Sequence, residues 1–166
     1  DVLMTQRLNI LKQHGLGLND IQDVIAEMGP FPGAKEFVKW VSTHFQLIIL
    51  SDTFYEFAHP LMKQLDWPTI FCHKLETDEA GMISAYKLRQ PDQKRQAVKA
   101  LHGLNFRVIA AGDSYNDTTM LGEADHGFLF DAPENVIDEF PQFPPIRGYD
   151  ALKEAIRNAS VSDIPA

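Results

Sequence analysis

One cysteine, Cys72, stands in a chain of 166 residues, so no internal disulfide can form. It lies in the strand-like run Thr69-Ile70-Phe71-Cys72, which points to a buried, inert thiol and not to a redox group. No apolar run approaches the roughly 18 residues of a membrane span, and no signal peptide is visible. A reducing cytoplasm is therefore the simplest setting. Positive charge is scarce: 15 Lys and Arg against 23 Asp and Glu leave a formal charge of −8. That balance excludes nucleic acid and anionic membrane as partners, since either needs a basic face. An anionic small molecule would have to be drawn by a local cationic site. The six histidines show no paired ligand spacing, which argues against a histidine metal centre. Repeats and low-complexity tracts are missing as well. What is present is 45% apolar and 10% aromatic residues, enough for the core of one domain with a small appendage.

Apolar residues recur at helical spacing through Leu3, Leu8, Leu11 and again through Ile21, Val24, Ile25, Met28, with a break at His14-Gly15-Leu16-Gly17. Asn19 or Asp20 can cap the second helix. Two short helices cannot bury their own apolar faces and must pack on something else. Gly29-Pro30-Phe31-Pro32-Gly33 reads as a hinge-like boundary. Beyond it strands and helices alternate, as in a parallel sheet with right-handed crossovers. The spacing predicts an amphipathic helix over 34–43, a strand over 47–50 and a helix over 57–65. A hairpin follows, with strands over 69–76 and 82–88 and its turn at Thr77–Gly81. Next come a helix over 93–104, a strand over 107–111 and a short strand over 127–130. Pro133 starts a helix that Pro141 ends, Pro144-Pro145 reads as a linker, and a final helix begins near Asp150.

The most informative stretch is Gly112-Asp113-Ser114-Tyr115-Asn116-Asp117-Thr118-Thr119-Met120, directly behind the buried run Arg107–Ala111. It sets Asp113 at the carboxyl end of a strand and Asp117 in the first turn of a helix. In open α/β sheets that edge is where ligands bind, and a helix start adds unpaired N–H donors that favour anions. Two carboxylates, an amide and several hydroxyls suit a hard cation such as Mg²⁺ together with a phosphate. An ordinary helix cap accounts for the same residue types, so at this point both readings stand. A second run, Phe45–Leu50, ends in Ser51-Asp52-Thr53, where a small hydroxyl at a strand tip can hold a phosphoryl oxygen. Lys94 opens the helix that leads into the Asp113 strand.

Taken together, Ser51-Asp52-Thr53, Lys94 and Gly112-Asp113-(x)3-Asp117 resemble motifs of the haloacid dehalogenase superfamily. Gln6-Arg7-Leu8-Asn9-Ile10-Leu11-Lys12 is similar to the cap helix of phosphoserine phosphatases. The strings Leu50–Phe57 and Ala111–Met120 are similar to the bifunctional phosphoserine phosphatase/homoserine phosphotransferase branch. The resemblance runs from about Leu3 to about Leu152. It implies an α/β, Rossmann-type parallel sheet with a β-hairpin, residues 1–29 being the remains of a helical cap and 30–166 the core. It also implies a Mg²⁺-dependent phosphatase acting on phosphoserine through an aspartyl-phosphate, with phosphoryl transfer to homoserine as a further activity in serine and threonine biosynthesis. Asp113 would hold the metal, and Lys94 and Asp117 would be catalytic, Asp117 orienting the metal shell or Lys94. Ser51, Asp52, Thr53, Lys94 and Asn116 would contact substrate or phosphate, and Arg7 the substrate carboxylate. Arg89 and Arg95 read as surface charges. A homodimer is an open option.

In this superfamily the nucleophile is the first Asp of a strand ending in Asp-x-(Asp or Glu), and no such strand is found here. The chain also opens at Asp1 instead of Met. The expectation is that its start has been lost, roughly 20–40 residues for a strand and part of a crossover helix, and that the chain alone is inactive. Two alternatives accompany this: a non-catalytic fragment that keeps a partial Mg²⁺ or phosphate site, and a receiver-type signalling module.

Overall fold

A computed structural model describes residues 2–161. These divide into two compact units, one running to Pro91 and the other starting at Asp92.

In the first, α1 (Val2–Gln13) and α2 (Leu18–Met28) meet at a tight turn, where Leu16 N–H donates to the Leu11 carbonyl at 3.0 Å and Gly15 takes φ +64°. Gly17 is the cap residue of α2, and Asp20 serves it from three positions on, its carboxylate accepting Gly17 N–H at 2.7 Å. Asp20 thus closes the start of α2 without being its first residue. Neither helix stands by itself. α2 packs on α4 (Tyr55–Gln64), where Gln22 Nε2 donates to the Glu56 carbonyl at 2.7 Å and Gln64 Nε2 to the Ala26 carbonyl at 3.1 Å. α3 (Ala34–His44) supplies Val38 to the apolar cluster of Ala58, Met62 and Leu65, which Ile49 and Ile70 complete from the sheet. Burying a side chain the size of Met62 contributes about 1.5–3 kcal/mol.

The sheet of this unit has the order β1 (Ile48–Phe54), β2 (Thr69–Thr77), β3 (Ile83–Lys87), parallel and then antiparallel. The hairpin turn is an Asx turn: Asp78 Oδ1 accepts N–H bonds from Ala80 at 3.0 Å and Met82 at 2.9 Å. β1 runs further than the sequence pattern predicts. Its pairing is regular only to Leu50↔Phe71 and resumes at Phe54↔His73, so Ser51, Asp52 and Thr53 oppose Cys72 alone in a bulge. The expected strand end at Leu50 is therefore where regular pairing stops, and α4 starts at Tyr55 without an intervening loop. Arg89 is not a loose surface charge. Its Nε donates to the Cys72 carbonyl at 3.2 Å and its guanidinium lies 5.1 Å from the Phe71 ring, while Tyr55 OH donates to the Ile70 carbonyl at 3.0 Å. Both carbonyls of β2 are thereby satisfied beyond the end of β3.

The second unit alternates α5 (Gln93–Gly103), β4 (Ile109–Gly112), a 3₁₀ turn (Tyr115–Asp117), α6 (Thr118–Glu123), β5 (His126–Phe130), α7 (Glu134–Glu139), β6 (Pro145–Ile146) and α8 (Tyr149–Val161). Its sheet, β4-β5-β6, is parallel throughout. Leu121, Leu129, Leu152 and Val98 are fully buried between this sheet and its helices. Gly127 on β5 is required by close approach, since a Cβ there would lie 2.5 Å from the Leu121 carbonyl oxygen. Pro144-Pro145, expected to be a linker, instead opens an edge strand. Leu129 N–H donates to the Pro144 carbonyl at 3.1 Å and Asp131 N–H to the Ile146 carbonyl at 2.9 Å. The prolines only accept in this ladder, so their missing N–H costs nothing at an edge.

Candidate active site

The end of β4 is organised by Asp117. Its Oδ1 accepts the Lys94 ammonium at 2.8 Å. Its Oδ2 accepts Asp113 N–H at 3.0 Å, Ser114 N–H at 3.1 Å and the Ser114 hydroxyl at 3.0 Å. Ser114 and Asp117 form a capping box, a pattern that is legible as Ser-x-x-Asp. The Lys94 and Asp117 side chains are only 11% and 8% exposed, so the pair is buried. Burial by itself raises the Asp117 pKa, but the Lys94 ammonium and the Ser114 donors outweigh it and hold the carboxyl below its ordinary range. All four bonds leave Asp117 saturated. It fixes Lys94 and the fold of the turn.

Gly112 makes this arrangement sterically feasible. A Cβ there would stand 2.5 Å from the Asp117 Cβ and 2.7 Å from its Oδ2, so the carboxylate can fold back over the strand end only across a glycine. Lys94 is placed by the first turn of α5, which two further links tie to α6. The Thr119 hydroxyl donates to Asp92 Oδ1 at 2.7 Å, and Arg95 Nε donates to Glu123 Oε2 at 2.8 Å. Arg95, read from sequence as a surface charge, is thus an anchor between these helices. Asp92 caps α5 in the left-handed conformation, φ +47°.

Asp113 stands just beyond β4, exposed, and its carboxylate has no hydrogen bond or ion pair among the described residues. The Asn116 side chain is likewise exposed and makes no such bond. Lys94, Asp113, Ser114, Asn116 and Asp117 are therefore brought together in the second unit.

Ser51, Asp52 and Thr53 lie in the β1 bulge of the first unit. The Ser51 hydroxyl accepts Thr53 N–H at 3.2 Å, a local turn bond. Asp52 Oδ1 lies 3.9 Å from His73 Nε2, and His73 Nδ1 accepts Arg89 N–H at 3.0 Å. That acceptor role puts the proton of the neutral ring on Nε2, toward Asp52. His73 is buried and adjoins the Asp52 it faces, a relation that no sequence spacing signals. Arg7 is exposed on α1, without a hydrogen bond or ion pair among the described residues.

No group of three or more His, Cys, Asp or Glu side chains able to hold a metal ion occurs among the described residues. What the Asp113–Asp117 turn offers a cation is one unengaged carboxylate, Asp113, beside a saturated one. This fits Mg²⁺, which takes one or two carboxylates and fills its remaining positions with water and phosphate oxygens.

An acidic turn behind a parallel strand, backed by a buried lysine, has the layout of a cation- and phosphate-binding site at a strand end of an α/β sheet. The haloacid dehalogenase-like hydrolase family profile matches residues 5–125. The phosphoserine phosphatase ThrH of Pseudomonas aeruginosa is 61% identical over 160 residues, 96% of this chain and 78% of the relative. A phosphoserine phosphatase of Pseudomonas syringae pv. tomato is 61% identical over 160 residues, 96% of this chain and 68% of the relative. Among solved structures, a phosphoserine phosphatase from T. onnurineus superposes with a TM-score of 0.66 at 21% identity, over 90% of this chain and 72% of that one, which is a likeness of fold. The chain belongs to the haloacid dehalogenase-like hydrolase family. That membership sets the receiver-type alternative aside.

Proposed function

We propose that this protein is a Mg²⁺-dependent phosphoserine phosphatase. The observation that carries the reading is the unengaged Asp113 carboxylate beside the buried Lys94–Asp117 pair, in a chain 61% identical to two phosphoserine phosphatases. Phosphomonoester hydrolysis makes little covalent demand on a protein beyond its nucleophile; it demands charge neutralisation and positioning. Asp113 contributes a ligand to the cation, which when bound neutralises phosphoryl oxygens. Lys94 presents a fixed positive charge to the phosphoryl group. Its partner Asp117 keeps the ammonium oriented before substrate arrives, so no reorganisation is needed at the moment of reaction. Asn116 orients substrate from the same turn. In the amino-terminal unit, Ser51, Asp52 and Thr53 are assigned to phosphate and substrate contacts, and Arg7 to the substrate's carboxylate, for which a guanidinium fork is suited. The attacking carboxylate is not among these residues.

On this reading residues 1–29 are cap-derived and 30–166 core. Homoserine is a second acceptor of the phosphoryl group, and the protein works in the cytoplasm as part of serine and threonine biosynthesis. No helix among the described residues is long and apolar enough to cross a membrane, which is compatible with that setting. A homodimer is also compatible with it.

The test is phosphate release from phosphoserine by the intact protein across a Mg²⁺ titration. Asp113→Asn removes the charge and keeps the shape, so turnover should fall roughly 100-fold or more while the fold persists. Turnover that ignores Mg²⁺, or an Asn variant with an unchanged Mg²⁺ profile, overturns the assignment.

A further inference from the structure

The Asp113–Asp117 turn is held from both sides, on the inner side by the bonds of Asp117. On the outer side Tyr115 leaves the turn and reaches α7. Its hydroxyl donates to Glu139 Oε2 at 2.8 Å and accepts from Asn135 Nδ2 at 3.2 Å, so both capacities of the phenol are used. Its ring meets Phe140 edge-on, with centroids 5.8 Å apart, and Phe140 in turn stacks on Phe143 at 6.5 Å. α7 is itself seated in the core through Val136, which is 2% exposed. The Tyr115 side chain is thus fastened although the residue is 46% exposed.

An exposed tyrosine with one bond to a neighbour would be unremarkable, because water replaces such a bond at little cost. Three features distinguish Tyr115. It sits inside the turn, between the carboxylate that is unengaged and the one that is saturated. Its side-chain contacts go to α7 and to Phe140, the residue that follows it. That helix supplies none of the bonds made by Asp113 or Asp117 among the described residues. The inner hub fixes the backbone at Asp113, Ser114 and Asp117, the Thr118 hydroxyl holds the Tyr115 carbonyl at 2.9 Å, and the outer clasp adds the hold on the Tyr115 side chain.

We propose that Tyr115, fastened by Glu139 and Asn135, is a positioning residue that clamps the turn so that Asp113 is presented to the cation in one geometry. This rests on the reading of Asp113 as the metal ligand. A carboxylate on a clamped turn meets the ion without first losing conformational freedom, so loosening the clamp should appear as weaker metal binding.

The test uses the intact protein and Mg²⁺ alone, by titration calorimetry, with amide hydrogen exchange of residues 113–117 in metal-free protein as a second readout. Tyr115→Phe keeps the ring against Phe140 and removes the two hydrogen bonds. It should weaken Mg²⁺ binding roughly 2- to 10-fold, the size expected for one net hydrogen bond, and speed exchange across the turn. Glu139→Ala removes one of those two bonds and should act in the same direction, by no more than Tyr115→Phe. Because Tyr115→Phe already removes the Glu139 bond, the double variant should lose no more than Tyr115→Phe alone. If Tyr115→Phe and Glu139→Ala bind Mg²⁺ as tightly as the parent while Asp113→Asn does not bind it, the clamp is wrong and the metal site stands. A shift confined to the unfolding temperature has the same meaning. If Asp113→Asn also leaves binding unchanged, the metal assignment falls and the clamp with it.

Discussion

The two strand ends that look alike in sequence are built on different principles. Behind β4, a buried ion pair, a capping box and a glycine close a turn in which one carboxylate makes four hydrogen bonds. Behind β1, Ser51, Asp52 and Thr53 remain within the strand as a bulge, with a local 3.2 Å turn bond from Thr53 N–H to the Ser51 hydroxyl and a 3.9 Å approach of His73 to Asp52. The first end is rigid because removing any member leaves a buried charge or donor unpaired. The second is a strand irregularity, a bulge set by where regular pairing between β1 and β2 is interrupted.

The largest effect should come from breaking the buried pair. Lys94→Met keeps the length of the side chain but leaves Asp117 charged and uncompensated, which typically costs 3–5 kcal/mol, ~4 at the centre. Ser51→Ala should cost only about 0.5–1.5 kcal/mol. Urea denaturation of the two variants measures the contrast directly. Comparable losses would mean that the β4 hub is no more decisive for the fold than the β1 bulge.

A smaller effect is expected away from both strand ends. Arg7→Ala removes an exposed guanidinium with no partner among the described residues, so it should leave the fold intact and act on substrate. Loss of one charge-assisted contact to a carboxylate is worth about 1.5–3 kcal/mol, or roughly 10- to 150-fold in kcat/KM for phosphoserine. p-Nitrophenyl phosphate, which has no carboxylate, should lose little. Equal losses on both substrates would assign Arg7 to the phosphate or to folding.

Sequence reasoning located the β4 site because its signals are local. A buried run, a glycine and the Asp113–Asp117 spacing lie within one stretch of chain, and Lys94 opens the helix just before it. The hairpin at Asp78 and Gly81 was legible for the same reason. The continuation of β1 was hidden because Asp52 is a poor strand former, and only the partner strand reveals that Thr53 and Phe54 stay extended. β6 was hidden because Pro144-Pro145 reads as a stop, whereas an edge strand needs only their carbonyls. The saturation of Asp117, the anchoring of Arg95 on Glu123 and the clasp of Tyr115 on Glu139 all pair residues distant in sequence, and composition carries no trace of them. The division at Pro91 and Asp92 falls in a segment whose only sequence signal is one proline.

The last effect is one of pH, and it bears on the buried pair most directly. Asp117 is held ionised in the folded protein below the ordinary carboxylate range, near ~3.9 in an unfolded chain. Its pairing with Lys94 therefore stabilises the fold fully above that ordinary value and is lost as the pH falls below it, through the lowered folded pKa. Carbon-13 NMR of the Asp117 carboxyl in the wild-type protein, followed through acid titration, reads this without any substitution. The account predicts a resonance that stays ionised as the pH passes below ~3.9, the reference value for a free Asp side chain. Titration at or above that value would contradict it, because burial would then outweigh Lys94 and the hub behind β4 would not be held by a charged pair.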